Sequence, residues 1–135
     1  MHLDTHVLVW LFGQQRRRIP ASAQGLMERE PLAISPMVHL ELAYLYEVSK
    51  VSVPADEVLG ALIPVLELTV SRAPFPAVVA RAAGMTWSRD PFDRLIAAQA
   101  LTDGAALLTA DKTLLANVPT AVWDAPATGG RSPSP

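Results

Sequence analysis

Five carboxylates stand where an acid can do more than solvate a surface: Asp4, Glu41, Asp90, Asp93 and Asp111. Asp4 follows a short apolar lead, and Asp111 comes shortly after the apolar run Ala105–Leu108, so both lie past candidate strands. In an open parallel sheet ligands gather beyond the carboxyl ends of the strands, so two such acids can approach one another. Asp90 and Asp93 are three residues apart at the start of a helical stretch opened by Pro91, a spacing that can turn both the same way. Each aspartate also has a structural reading, because Asp at a helix start is a common N-cap. Glu41 fits that reading less well. Its neighbours at three and four positions are Met37, Val38, Tyr44 and Leu45, an apolar stripe with no base in reach. A buried carboxylate is costly unless paired or bound to a metal. Oxygen-only sets suit hard divalent ions such as Mg²⁺ or Mn²⁺. Gathering four carboxylates without a cation would raise their pKa values. With an ion present, water activation and phosphoryl polarisation make phosphodiester hydrolysis natural chemistry. A second ion about 3.5–4 Å away would also stabilise the leaving oxygen.

The elements that must position these acids follow from apolar spacing and breakers. Met1–Leu3 is a minimal lead into Asp4, and the run His6–Phe12 is open between strand and helix on periodicity alone. Helices are predicted over Ala21–Glu30, ended by Pro31, and over Pro36–Lys50, with Pro36 suited to a first turn. Others are predicted over Asp56–Ile63, between Pro54 and Pro64, over Pro76–Ala83, ended by Gly84, and from Pro91 to Asp103. Candidate strands are Leu32–Ile34, Val65–Val70, Ala105–Leu108 and Thr120–Trp123, with a short turn at Lys112–Leu115. Short apolar strands alternating with helices predict an α/β sandwich around a mainly parallel sheet.

The chain has 135 residues, 50% hydrophobic and 18% charged, with a formal net charge of -2 and no cysteine. That length fits one domain able to build its own core. The absence of cysteine excludes disulfide scaffolds, thiolate zinc sites and cysteine nucleophiles, and is compatible with a reducing cytoplasm. The longest apolar runs, Val7–Phe12 and Ala61–Leu66, are far short of the roughly 18 residues of a membrane span. Neither a basic nor an apolar leader follows Met1, so no signal peptide is expected, and a cytoplasmic location is. No internal repeat is present. From Ala125 onward the chain turns to Pro, Gly and Ser without a large apolar residue, so the domain is expected over 1–124 and a mobile tail over 125–135.

Three segments resemble a PIN domain, and more narrowly the VapC toxins of VapBC toxin–antitoxin pairs. They are Leu3-Asp4-Thr5-His6-Val7-Leu8-Val9-Trp10, Arg89-Asp90-Pro91-Phe92-Asp93-Arg94-Leu95-Ile96-Ala97-Ala98-Gln99-Ala100 and Leu107-Leu108-Thr109-Ala110-Asp111. The resemblance covers residues 1–123 in order and spacing. It implies a three-layer α/β/α sandwich, with the run after Asp4 helical and Met1–Leu3 a truncated first strand. It also implies an Mg²⁺- or Mn²⁺-dependent endoribonuclease. By position, Asp4, Glu41, Asp93 and Asp111 match the family's four acids, as catalytic residues and metal ligands. Asp90 belongs to the same pattern as a lesser candidate ligand. Thr5 and Thr109 match small hydroxyl positions beside the first and fourth acids, and Arg94 is a supporting candidate. The roles implied are ion holding by Asp4, Asp93 and Asp111, and a second ion or the attacking water for Glu41, leaving a 5′-phosphate. Only three residues precede Asp4, and Pro64 interrupts an apolar stretch; neither departure touches the acids.

The partners implied are an RNA substrate, a VapB-like antitoxin and a second copy of the chain, with no membrane. Net charge argues weakly against nucleic acid, but with four acids offset by metal, -2 becomes +2. Arg16-Arg17-Arg18, Arg89, Arg94 and Lys112 are then candidate phosphate contacts, or ordinary solvated residues. Trp10, Phe12, Tyr44 and Tyr46 read either as core or as a groove for an apolar partner helix or dimer. His2, His6 and His39 lack the spacing of a metal site. Two rivals remain: a partner-binding PIN module without turnover, and a metal-dependent phosphatase. The phosphatase is disfavoured because Asp4-Thr5-His6 lacks a second aspartate two residues on.

Overall fold

A computed structural model describes residues 1–124, so the tail expected over 125–135 lies outside the described residues. Five strands form one parallel sheet: β1 (His2–Leu3), β2 (Ala33–Ile34), β3 (Thr69–Val70), β4 (Leu107–Leu108) and β5 (Ala121–Val122). The helices are α1 (Thr5–Phe12), α2 (Ala21–Arg29), α3 (Pro36–Glu47), α4 (Ala55–Leu66), α5 (Phe75–Ala83), α6 (Pro91–Thr102) and α7 (Lys112–Asn117), with a 3₁₀ turn at Arg16–Arg18.

The strand order is β3-β2-β1-β4-β5. The chain travels outward from β1 to β3, returns past β1 to β4, and continues to β5. With the right-handed crossovers usual for parallel strands, outward and return crossings put helices on both faces of the sheet. This is the expected three-layer sandwich. The reversal falls between β1 and β4, the place where open α/β sheets bind ligands. Register there is direct, with His2 opposite Leu107 and Leu3 opposite Leu108. Each strand is only two residues long, so little of the fold rests on ladder bonds. The core does more: Leu3, Val7, Leu8, Val38, Leu42, Ile96, Ala97, Leu107, Leu108 and Leu114 are all fully enclosed. The alanine-rich inner face of α6 keeps side chains small where a helix is packed on several sides.

Two predicted boundaries are corrected. The helix expected to close before Pro64 runs through it to Leu66. Proline removes one N–H and leaves the carbonyl four residues back unpartnered. Here that residue is the exposed Gly60, where water can satisfy the carbonyl, while Leu62 stays buried. The strand expected over Val65–Val70 shrinks to Thr69–Val70. Glu67 turns the chain with φ 52°, and Val65 faces solvent.

Candidate active site

Asp4 leaves β1 at its carboxyl end and caps α1, its Oδ1 accepting from Thr5 N at 2.8 Å. Its Oδ2 accepts from Thr109 Oγ1 at 2.6 Å, across the β1–β4 junction. Thr109 Oγ1 in turn accepts from Asp111 N at 3.0 Å, so one buried hydroxyl ties the two acids' segments together. Both oxygens of Asp4 are thereby oriented before anything binds. Thr5 does the same for α3, donating from Oγ1 to Glu41 Oε1 at 2.5 Å. Glu41 is buried, as its apolar neighbours required, and its partner comes from another helix.

Asp90 and Asp111 are both helix caps. Asp90 Oδ1 accepts from Phe92 N at 2.8 Å, and Asp111 Oδ1 accepts from Thr113 N and Leu114 N at 2.8 and 3.0 Å. In each the second carboxylate oxygen has no hydrogen-bond partner among the described residues. Asp93 sits in the first turn of α6, half-buried, and its carboxylate accepts no hydrogen bond among the described residues.

These carboxylates lie close enough to repel one another. Burial pushes Asp93 up to about 7, with Asp90, Asp111, Asp4 and Glu41 adding repulsion. Burial also raises Asp4, against the Thr109 and Thr5 hydrogen bonds, and raises Glu41, against the Thr5 bond. Asp4 and Asp111 open together on a cleft of about 210 Å³, walled by His6 and Trp10. Among the described residues no group of three or more His, Asp or Glu side chains is placed to hold a metal ion. The donor set nevertheless fits a hard cation. It is all oxygen, self-repelling without positive charge, and open on one side, as suits Mg²⁺, which keeps several waters and takes one or two carboxylates.

Arg94 does not reach the acids. Its guanidinium donates to Ala82 O at 3.1 and 3.0 Å, to Ala83 O at 3.2 Å and to Ser88 O at 3.4 Å. It satisfies the last carbonyls of α5 and ties that helix to α6, a packing role. His2 is buried, its Nε2 2.7 Å from Asp103, and His39 is exposed beside Asp56. Of the aromatics, Trp10 and Phe12 pack partly against the core, whereas Tyr44 and Tyr46 are exposed. Sequence reasoning passed over His6 as a site residue. The signal was its place two residues after Asp4 and one helical turn before Trp10, on the helix that Asp4 caps.

An all-parallel α/β sheet carrying acids at its switch point defines the class. A PIN domain family model matches residues 1–119. The chain is 33% identical over 126 residues to Ribonuclease VapC22 of Mycobacterium tuberculosis, covering 90% of this chain and 96% of that protein. Its fold is similar to the crystal structure of VapBC2 from Rickettsia felis bound to a DNA fragment from their promoter. That likeness has a TM-score of 0.62 and 23% identity over 91% of this chain and 98% of the other. The chain therefore belongs to the PIN-domain family, in its VapC-type branch. No helix among the described residues is long and apolar enough to cross a membrane.

Proposed function

We propose that this protein is a metal-dependent endoribonuclease and the toxin of a VapBC-type toxin–antitoxin pair. The observation that carries the reading is the convergence of Asp4, Glu41, Asp93 and Asp111 at the switch point, with Asp93 pushed up to about 7. A site that merely capped helices would have no reason to crowd a further carboxylate, without a hydrogen-bond donor, against its neighbours. Asp4, Asp93 and Asp111 would hold Mg²⁺ or Mn²⁺, and Asp90 has one carboxylate oxygen left over from its capping bonds. Bound there, the cation supplies charge neutralisation at the phosphate and a more acidic water.

The chain's own groups do the rest. Thr109 fixes Asp4 and Thr5 fixes Glu41, so the acids do not reorganise during reaction. Glu41, either beside a second ion or on the attacking water, orients the nucleophile in line with the scissile bond. The water oxygen joins phosphorus and the bond to O3′ breaks. The released proton ends on O3′, leaving a 5′-phosphate and a 3′-hydroxyl. A VapB-like antitoxin and a second copy of the chain are the proposed protein partners. The relatives' names support the pairing, and the exposed Leu40, Tyr44 and Tyr46 of α3 offer apolar area for it.

The test is cleavage of a mixed RNA pool by antitoxin-free protein with Mg²⁺ or Mn²⁺. Discrete products lost with EDTA and in Asp4→Asn are expected. Folded, ion-binding protein that cuts no RNA in the pool would sink the reading.

A further inference from the structure

Next to the acid cleft lies a larger one of about 480 Å³, and His6 and Trp10 wall both. The two clefts therefore share a rim along α1. Trp10 is six residues beyond Asp4 on the same helix, about 9 Å along its axis. Unlike the first cleft, the second is lined by cations, Arg18 and Lys50, with no carboxylate among its walls. Both are exposed, and neither takes part in an ion pair among the described residues.

Arg18 is held in place. Its guanidinium lies over the Trp10 ring, 4.9 Å from the centroid, and its Nη1 donates to Gln15 Oε1 at 3.0 Å. Trp10 is itself braced by Trp123, with ring centroids 5.8 Å apart. A guanidinium stacked on a ring keeps edge N–H groups directed outward, the arrangement that binds phosphate oxygens. Leu45 and Val51 supply apolar lining to the same cleft.

We propose that this second cleft is a subsite for the substrate strand. In it Arg18 and Lys50 bind backbone phosphates of single-stranded RNA beside the scissile bond, and Trp10 positions Arg18. The proposal rests on the ribonuclease reading and deepens it. A strand whose scissile phosphate enters an acid-lined cleft must carry its next phosphates somewhere, and a cation-lined cleft sharing two walls is the complementary surface. Arg16 and Arg17, exposed in the same 3₁₀ turn, extend the positive field outward. A polypeptide with acidic side chains is the alternative occupant.

The experiment measures binding of a fluorescent single-stranded RNA oligomer of mixed sequence to the intact chain. Ca²⁺ replaces Mg²⁺, across 50–200 mM salt. Arg18→Gln/Lys50→Gln is expected to weaken binding about 10-fold or more. It should also flatten the slope of log K against log salt by about 1.4, or 0.7 for each phosphate no longer neutralised. Arg29→Gln/Arg72→Gln removes the same charge at exposed positions outside both clefts, and should change neither quantity much. Trp10→Leu should cost a few-fold, restored by Trp10→Phe. In Mg²⁺, cleavage of an RNA that the wild type cuts should show KM rising in the double variant with kcat held.

Wild-type affinity and slope in the double variant would overturn the subsite and hand the cleft to a polypeptide. Equal losses in the control pair would overturn it too, by reducing the effect to net charge. If wild type cleaves RNA and the double variant is indistinguishable, the subsite alone fails. If wild type neither binds nor cleaves RNA, the ribonuclease reading fails with it.

Discussion

The site has two halves built on different terms. In one, Asp4 and Glu41 are 4% and 9% exposed, and each has a dedicated hydroxyl, Thr109 and Thr5, at 2.6 and 2.5 Å. In the other, Asp90 and Asp111 give one oxygen to the backbone of their own helices, and Asp93 has no donor among the described residues. The first half is tied across elements, β1 to β4 and α1 to α3, although Asp4 also caps its own helix. The second belongs to helix starts, and its geometry is fixed by local backbone. Pre-orientation and readiness to respond to charge are thus divided between two sets of carboxylates. Asp93 is where a bound cation would change most, because burial and four neighbouring acids oppose its ionised form.

The largest expected effect comes from removing charge at the responsive half. Asp93→Asn should lower RNA cleavage more than the 10- to 100-fold typical of losing a group that only orients a ligand. A smaller loss, measured as initial rate with Mg²⁺, would demote Asp93 from ligand to bystander. Thr109→Val tests the rigid half. It takes the donor from Asp4 Oδ2 and the acceptor from Asp111 N, and should cost about 1–3 kcal/mol of stability. Activity should fall about 10- to 100-fold, as for outer-shell partners of a metal ligand. Equal stability in wild type and variant, by denaturant unfolding, would show that the hydroxyl is not committed to Asp4.

Acidity separates the halves again. Asp93 ionises near 3.8 in the unfolded chain and about 7 in the folded, metal-free one. Between those values the folded state holds a proton the unfolded state has lost, so this group's contribution makes stability fall as pH rises through the window. The raised Asp4 and Glu41 act in the same direction. His2 opposes them, because burial lowers its pKa despite Asp103, and the unfolded chain binds the extra proton below 6.5. Thermal unfolding at pH 5 and 8, with and without Mg²⁺, should therefore show the larger ion-induced gain at pH 8. Asp93→Asn should shrink that difference. An ion effect independent of pH would mean that Asp93 does not couple to the cation.

What the chain disclosed before folding follows the same division. Glu41 was legible as a functional residue because an acid in an apolar stripe demands a partner, and Asp4 and Asp111 because they stand past apolar strands. Arg94 was not legible, since its partners are the carbonyls of Ala82 and Ala83 and no side-chain type marks them. The second cleft was hidden for a related reason. Its walls come from α1, the 3₁₀ turn and the segment after α3, which meet only in three dimensions. Pro64 and Val65 misled because local propensity was outweighed by packing of Leu62 and by the turn at Glu67, whereas Val70 does lie in β3.

The finest distinction lies within the responsive half, between a cap and a ligand, and serine separates them because it caps a helix without a charge. Asp111→Ala should lose about 1 kcal/mol of stability together with cleavage, whereas Asp111→Ser should recover the stability and leave cleavage lost. Asp90→Ser is the smallest effect expected. Asp90 is exposed, and its Oδ1 already serves Phe92 N and Asp93 N, so a residue needed mainly as a cap should keep cleavage within a few-fold when serine replaces it. Its charge also raises Asp93 and Glu41, so removing it should lower the pH at which Asp93 ionises and widen the pH range of ion binding. Titrating Mg²⁺ binding against pH in Asp90→Ser checks this directly. A loss of ion affinity at pH 8 as large as that in Asp111→Ser would place Asp90 among the ligands and join the two helix starts into a single ion-holding unit.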